Sequence, residues 1–440
     1  VQMSFSVRRT AWVVGYLLFI LAPIFVMLTG TAEPARDFWT ELSVAFGYAG
    51  LSMMGLQFGV TSRFRWVTEP WGEDVIYHFH RQISLIAVTL VLLHPAILFV
   101  TRPDLLSLLN VVDAPWRARF ALLSVLALLV LVVTALWRVR LRLSYEVWHR
   151  LHIALAVTAV SAGVLHMIGW GFYLTDAWSR ALWIGLIALW VAVLLYVRIV
   201  KPLFLIRRPY QVSEVRPERG ETTTLVLDPV GHDGFRFQPG QFGWITVWRS
   251  PFTISAQPFS FSSSAEATGG RVEMSIRNLG DFTSSVPGIP VGKRVYLDGP
   301  YGAFTMGNPA DMHVLVAGGI GITPMMSMLR TLADRGDRRP VMLLYGAKDW
   351  QSITFREELE ELTGRLDLTT VYVLEDPPAN WQGERGFINA EIFQRHLTPP
   401  YAEHEYFICG PEPMMDAVES ALAELKVPKS KYHSERYSFL

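Results

Sequence analysis

The sequence predicts a multidomain membrane protein: a six-helix transmembrane bundle, then an antiparallel β-barrel, then a doubly wound α/β domain. Three observations carry this reading. Long apolar runs crowd into residues 1–200 and are rare after 205. Short alternating segments, with Gly and Pro between them, fill about 207–300. From Asp311 onward, buried-strand runs alternate with helical stretches. The expected domains are 1–204, 205–305 and 306–440.

Over 440 residues, 39 basic and 39 acidic side chains cancel, so no overall field draws the chain to nucleic acid. Hydrophobic residues make up 51% and mean hydropathy is +0.28, high for a soluble enzyme. The single cysteine, Cys409, allows neither a disulfide framework nor a thiolate metal cluster within the chain. The first apolar stretch has no well-placed small-residue cleavage site and further spans come after it. It reads as a membrane anchor, not a cleaved signal.

Six segments are long enough to cross the roughly 30 Å hydrocarbon layer: about 11–29, 38–58, 75–100, 118–137, 147–168 and 181–200. Arg8 and Arg9 precede the first, Arg63 and Arg65 follow the second, and Arg138, Arg140 and Arg142 follow the fourth. Arg198, Lys201, Arg207 and Arg208 close the sixth. The other loops carry acids such as Glu33, Asp37, Asp104, Asp113 and Asp176. Basic loops stay on the cytoplasmic side. A multi-pass protein of a bacterial plasma membrane is expected, with its N-terminus and soluble half in the cytoplasm.

Histidines in this half are spaced with a purpose. His80 and His94 share the third span, and His152 and His166 share the fifth, each pair fourteen residues apart. Fourteen steps of about 100° fall about 40° short of four turns, so each pair lies on one helix face. The rise is about 21 Å, which puts one histidine towards each side of the bilayer. Both spans run the same way, so His80 is level with His152 and His94 with His166. Neutral imidazole is a strong axial ligand for haem iron, and ionisable groups within a membrane usually mark function. Two facing pairs would hold two six-coordinate b-type haems. Hydrogen bonding between helices explains one such histidine as easily, but not two matched pairs. His78 points away from His80, and His149 matches His166 poorly in phase, so both read as interfacial.

In the soluble half, Thr222 to Leu227, Phe242 to Val247 and Arg271 to Ile276 alternate as strands. Val314 to Gly318 runs into the turn Gly318-Gly319-Ile320-Gly321-Ile322-Thr323-Pro324 and a helix, Met325 to Ala333. Its glycines allow close backbone approach, and the helix start offers free N–H groups to a pyrophosphate. Val341 to Tyr345, Leu368 to Val373 and Tyr406 to Gly410 are further strands. Cys409-Gly410-Pro411 ends the last, at the sheet edge where ligands bind. Gln257-Pro258-Phe259-Ser260-Phe261-Ser262-Ser263 sets aromatics and hydroxyls on an extended segment that could lie along a flat ring. Arg277 comes before Gly280-Asp281-Phe282-Thr283-Ser284, a cation and then a helix start suited to phosphate. Gly299-Pro300-Tyr301-Gly302 reads as a tight turn presenting Tyr301. Each of these segments also suits an ordinary barrel turn.

Taken together, these residues resemble the ferric reductase and NADPH oxidase superfamily over about 40–440. The soluble half is similar to ferredoxin-NADP reductase modules. The resemblance implies two haems between the third and fifth helices, FAD ring and ribityl chain on Gln257 to Ser263, and FAD phosphate on Gly280 to Ser284. It implies NAD(P)H on Gly318 to Pro324 and Cys409 to Pro411, with Cys409 near the hydride-transfer carbon. Tyr437 or Phe439 stands where an aromatic covers the flavin. Gln257 replaces the usual His or Arg, so Arg277 takes more of the FAD phosphate. Leu98 stands where some eukaryotic oxidases have a second outer histidine, which does not support their oxygen-reducing pocket.

The implied activity is transmembrane electron transfer from cytoplasmic NAD(P)H through FAD and two haems to an outer acceptor. Oxygen, giving superoxide, is favoured over a ferric chelate. Lys348 and Arg356 follow the second nucleotide-domain strand, where a 2′-phosphate would sit, so NADPH is expected over NADH although Asp349 lies beside them. A non-enzymatic haem-binding anchor or a transporter with a nucleotide-sensing domain, and a flavin reductase merely tethered to the membrane, are the alternatives.

Overall fold

In the computed structural model, which describes residues 5–30, 36–68, 71–307 and 310–436, the apolar runs are helices. Glu33, Tyr437 and Phe439 lie outside the described residues. The chain divides into two units, Val1–Lys201 and Pro202–Leu440.

The first unit contains α1 (Phe5–Thr29), α2 (Phe38–Val60), the single turn α3 (Arg65–Thr68), α4 (Glu73–Thr101), α5 (Trp116–Leu136), α6 (Tyr145–Trp170) and α7 (Ala177–Leu195). A π-helical stretch, Tyr196–Val200, carries α7 on into α8 (Lys201–Arg207). Local chemistry sets the ends. Asp37 accepts from the Trp39 and Thr40 amides, both at 3.1 Å, and caps α2. Gly171, at φ 63, closes α6 in the left-handed region that glycine tolerates.

Among the described residues, five helices are long and apolar enough to cross a membrane: Val7–Thr29, Val75–Thr101, Trp116–Leu136, Tyr145–Trp170 and Ala177–Arg207. The second predicted span is a helix too, α2, but a more polar one. It packs against α1, α4, α6 and α7, and Ser43, Ser52 and Gln57 are buried in it. A helix wrapped by its neighbours shows little surface to lipid, so polar side chains facing inward are tolerated. The outer helices do the reverse and expose Phe25, Leu126 and Ile184. α4 runs along α2, and α6 along α5, yet α4 and α6 hardly touch each other. That gap positions the site.

The second unit opens with β1 (Tyr210–Glu218), β2 (Thr222–Pro229), β3 (Phe242–Thr246), β4 (Gln257–Ser260), β5 (Val272–Arg277) and β6 (Arg294–Tyr301), with the short α9 (Asp281–Ser284) before β6. They form a six-stranded antiparallel sheet, ordered β4-β3-β6-β1-β2-β5. A further bridge joins Phe261 to Met274. Its core includes Val212, Leu225, Leu227, Ile245, Phe261 and Met274. Tyr301 is not presented by a turn as expected. β6 continues through it, pairing it with Phe242, and its hydroxyl donates to Asp298 at 2.7 Å.

A parallel sheet completes the unit: β7 (His313–Gly318), α10 (Ile322–Asp334), β8 (Val341–Ala347), α11 (Arg356–Leu362), β9 (Leu368–Leu374), β10 (Glu384–Arg385), α12 (Ala390–His396), β11 (Glu405–Cys409), α13 (Glu412–Glu424) and β12 (Tyr432–Glu435). The order is β10-β9-β8-β7-β11-β12. All six residues of β7 are buried, as befits a strand covered on both faces. The chain steps outward from β7 through β8 to β9, then returns to set β11 on the other side of β7. That reversal opens a crevice at the carboxyl ends of β7 and β11.

The tight core of the first unit is testable. A Cβ on Gly55 would lie 2.1 Å from the Trp190 indole, so a large side chain there must push α2 and α7 apart. Gly55→Leu is expected to destabilise the membrane unit by about 2 kcal/mol or more, read as a lower melting temperature in detergent; an unchanged melt contradicts this packing.

Candidate functional site

Across the gap between α4 and α6, the four histidines meet in two pairs. The His80 and His152 ring centres are 6.3 Å apart with planes at 69°. Those of His94 and His166 are 6.2 Å apart at 60°. The fourteen-residue spacing on each helix produces this level pairing, because it brings both imidazoles of a helix round to one face.

Hydrogen bonds fix the tautomers. Gln57 donates its amide N–H to the Met53 carbonyl and the Tyr16 hydroxyl, each at 3.2 Å. Its oxygen is therefore the acceptor for His80 Nδ1–H, at 2.8 Å. His94 Nδ1–H donates to the Ser43 carbonyl at 3.0 Å, and Ser43 Oγ donates back to the His94 carbonyl at 2.8 Å. His166 Nδ1–H donates to the Arg117 carbonyl at 2.9 Å. With Nδ1 protonated, Nε2 of these three rings keeps its lone pair for a metal. His152 differs: its Nδ1 is buried with no hydrogen-bond partner among the described residues. Sequence reasoning missed Gln57, Ser43 and Arg117. His78 is exposed on α4, and His149 packs against Tyr145 and Trp148, outside both pairs.

In the second unit, the crevice gathers most of the predicted nucleotide residues. Gly319 has φ 52, and a Cβ on Gly321 would lie 2.1 Å from the Cys409 carbonyl. The loop Gly318-Gly319-Ile320-Gly321 therefore presses on the turn Cys409-Gly410-Pro411, which only glycine permits. Thr323 caps the turn by donating to the Ile320 carbonyl at 3.0 Å, and Pro324 is buried in the first turn of α10. Arg277, expected at a flavin phosphate, has its Nη1 3.2 Å from where a Gly319 Cβ would be. Its Nε is buried without a partner among the described residues. The cation thus faces the glycine loop.

Among the expected flavin residues, Gln257, Pro258 and Phe259 remain partly open, and Phe259 stacks on Phe282 with ring centres 5.9 Å apart. Ser260 is buried at the end of β4. The side chains of Phe261, Ser262 and Ser263 turn inward instead. Phe261 packs on Phe235 and Phe237, Ser262 accepts from Ser275 at 2.9 Å, and Ser263 accepts from the Glu273 amide at 3.1 Å. The strand ends at Ser260, and the bridge to Met274 draws the next three residues into the core. In the helix start, Thr283 Oγ1 accepts from the Leu279 and Gly280 amides, both at 2.8 Å, while Ser284 donates to the Asp281 carbonyl.

Cys409 is 0% exposed. Burial, with the Glu435 carboxylate beside it, pushes its thiol well above the ordinary range. β12 pairs Glu435 with Cys409, and a Cβ on Gly302 would be 3.1 Å from Glu435 Oε1. Sequence reasoning missed Glu435. Lys348 is exposed, whereas the Arg356 guanidinium is bonded to the Trp350 carbonyl at 3.1 Å and to Glu357 at 2.9 Å.

A helical membrane unit with paired imidazoles, joined to a glycine-loop α/β module, defines a membrane-bound nucleotide oxidoreductase. Comparison with known proteins agrees. Residues 46–163 match the ferric reductase like transmembrane component, and residues 315–420 match the oxidoreductase NAD-binding domain. The chain thus carries a ferric reductase-like transmembrane component and an oxidoreductase NAD-binding domain. It is 32% identical over 239 residues, 52% of its length, to the reductase component of propane 2-monooxygenase from Rhodococcus jostii (strain RHA1), covering 63% of that protein. The Mycolicibacterium smegmatis counterpart is 30% identical over 241 residues, 52% of this chain and 67% of that one. The chain spans roughly three fifths of the curated relatives it matches, 63% and 57% for two of them. The flavohem-like FAD/NAD binding domain of nitric oxide dioxygenase from Vibrio cholerae O1 biovar El Tor superposes with a TM-score of 0.47 at 26% identity, over 52% of this chain and 97% of that domain.

The thiol gives a direct test. Cys409 is the sole cysteine, and only the thiolate is nucleophilic, so a raised pKa lowers reactivity tenfold per unit below it. At pH 8 the folded chain should react with iodoacetamide more than about tenfold slower than an unfolded one; equal rates contradict the burial.

Proposed function

We propose that this protein transfers electrons from a nicotinamide nucleotide, through FAD and two b-type haems, across a membrane to an acceptor on the far side. The single observation that carries this is the matched pair of imidazole distances. A metal–imidazole bond of about 2.0 Å, plus roughly 1.1 Å from ring centre to nitrogen, puts two rings about 6.2 Å apart with one metal between them. The observed 6.3 and 6.2 Å fit that separation. The sparse contact between α4 and α6 leaves the two ring pairs facing one another, as axial imidazoles of a flat macrocycle would.

His80 with His152, and His94 with His166, would be the axial ligands of the two irons. Gln57 and the Ser43 and Arg117 carbonyls hold three of these rings in orientation and in the tautomer that presents Nε2. Gln257 to Ser260 and the helix start Gly280 to Ser284, through the amides of Asp281, Phe282 and Thr283, would carry FAD. Gly318 to Pro324 and Cys409 to Pro411 would carry the nucleotide, with Arg277 aimed at its pyrophosphate. Cys409 and Glu435 line the hydride-transfer end, where the buried thiol stays protonated. When bound, FAD accepts a hydride and releases electrons singly, and haem iron carries single electrons across the bilayer.

We read α2 as a sixth span, the antiparallel sheet as a barrel closed near Phe261 and Met274, and the chain as three domains: 1–204, 205–305 and 306–440. The arginine-rich loops favour a cytoplasmic soluble module. Oxygen, reduced to superoxide, is the acceptor we favour over a ferric chelate, because a small neutral molecule needs no docking loop.

Anaerobic addition of a reduced nicotinamide nucleotide to the purified protein should bleach the flavin and then sharpen haem absorption. His94→Ala should remove about half of the Soret absorbance and leave flavin reduction intact. Haem that stays oxidised while flavin is reduced overturns the relay. With air admitted, dismutase-sensitive superoxide is expected; ferric-chelate reduction without superoxide overturns the choice of acceptor.

A further inference from the structure

The ribose end of the nucleotide site carries information that the glycine loop does not. This inference rests on reading the α/β module as a nicotinamide dinucleotide site. In such a sheet the adenosine ribose lies beyond the carboxyl end of the strand next to the glycine-loop strand. An acid there hydrogen-bonds a 2′-hydroxyl, and an arginine accommodates a 2′-phosphate. Here that strand is β8, which pairs with β7, and it runs out into Lys348-Asp349-Trp350.

Arg356 is the arginine best placed in sequence, but its guanidinium is already engaged. Its side chain is only 14% exposed. The guanidinium lies over the Trp350 ring, 4.7 Å from its centre, with Nη1 on the Trp350 carbonyl and Nη2 on Glu357. Glu357 is anchored in turn by Arg219, at 2.7 Å, which lowers that carboxyl to about 2. The segment is pinned further by Thr354, whose Oγ1 donates to the Arg219 carbonyl and whose amide donates to the Tyr345 hydroxyl, each at 3.2 Å. Freeing Arg356 would strip this network. Arg385, on β10 at the far side of β9, is bonded to the Trp381 carbonyl at 2.8 Å.

The rest of this edge is acidic. Asp349 accepts from the Ser352 amide through Oδ1 at 2.8 Å, leaving Oδ2 for a hydroxyl. Glu375 and Asp376 are exposed beside it, their amides bonded to the Ala347 and Lys348 carbonyls at 3.1 and 2.7 Å. Lys348 is the one lysine on this stretch. A phosphate dianion entering here meets one exposed lysine, Lys348, beside the carboxylates of Asp349, Glu375 and Asp376. A 2′-hydroxyl meets a waiting acceptor.

We propose that this protein uses NADH in preference to NADPH, with Asp349 receiving the ribose 2′-hydroxyl and the Arg356–Glu357 pair denying a site to a 2′-phosphate. This reverses what Lys348 and Arg356 lead one to expect from sequence.

The test uses the full chain in detergent, following flavin reduction with each nucleotide and inhibition by ADP against 2′,5′-ADP. NADH should have a kcat/KM about tenfold or more above that of NADPH, and ADP should inhibit better than 2′,5′-ADP. Glu357→Gln, which releases Arg356, should raise the NADPH-to-NADH efficiency ratio about fivefold. Asp349→Ser should raise it as well, by lowering the NADH value. Equal or better use of NADPH by the unaltered chain, or stronger inhibition by 2′,5′-ADP, overturns the preference. An unchanged ratio in both variants overturns the assigned residues. Failure of either nucleotide to reduce the flavin would instead overturn the reading of the module as an electron entry site.

Discussion

Two helices that hardly touch, held at a fixed separation by what packs behind each of them, are the constraint on which this molecule turns. α4 is braced by α2, and α6 by α5, so the separation of α4 and α6 is set mainly by what packs behind each. Between them imidazoles approach one another, two at each level. Helices in a protein folded for packing alone close onto one another, because voids forfeit dispersion contacts. Keeping these two apart is intelligible if something flat lies between them. The polar residues of α2 serve the same end: Ser43 and Gln57 are buried to hold the rings, and wrapping by four other helices makes their burial tolerable.

The four imidazoles are not held alike. Both rings of the His94–His166 pair donate to backbone carbonyls, which the helices fix rigidly. In the other pair, His80 donates to a side-chain amide, itself positioned by Tyr16, and His152 has no partner for Nδ1 among the described residues. A hydrogen-bonded imidazole is the more basic ligand, so the two levels of the membrane unit offer a bound metal unequal donors. The soluble module shows the same economy. Its glycine loop, the turn after β11 and Arg277 meet at one crevice, because the strand order reverses between β7 and β11.

Much of this was legible in the chain. Helix periodicity is rigid enough that a fourteen-residue spacing fixes both phase and rise, so the pairing of His80 with His152 and His94 with His166 could be read directly. The parallel sheet was legible because strands buried on both faces are continuously apolar. What supports the histidines was not, since Gln57, Ser43 and Arg117 come from helices whose rotation relative to α4 and α6 no local pattern encodes. The burial of Phe261, Ser262 and Ser263 was not legible for a related reason: composition suggested a ligand surface, but the strand stops at Ser260 and the next side chains fall into the core. Glu435 escaped notice because β12 is only Tyr432–Glu435, too short and polar to read as a strand. The charge of Arg356 was visible, but not its engagement by the Trp350 carbonyl and by Glu357, which Arg219 from a distant hairpin holds in place.

The most direct measurement of the central claim is the haem content of the purified chain by pyridine haemochrome, together with low-temperature electron paramagnetic resonance. Two b-type haems per chain, both low-spin with bis-imidazole signals, are predicted. A chain that folds yet binds no haem, or one whose iron is high-spin with a single histidine ligand, would contradict the account.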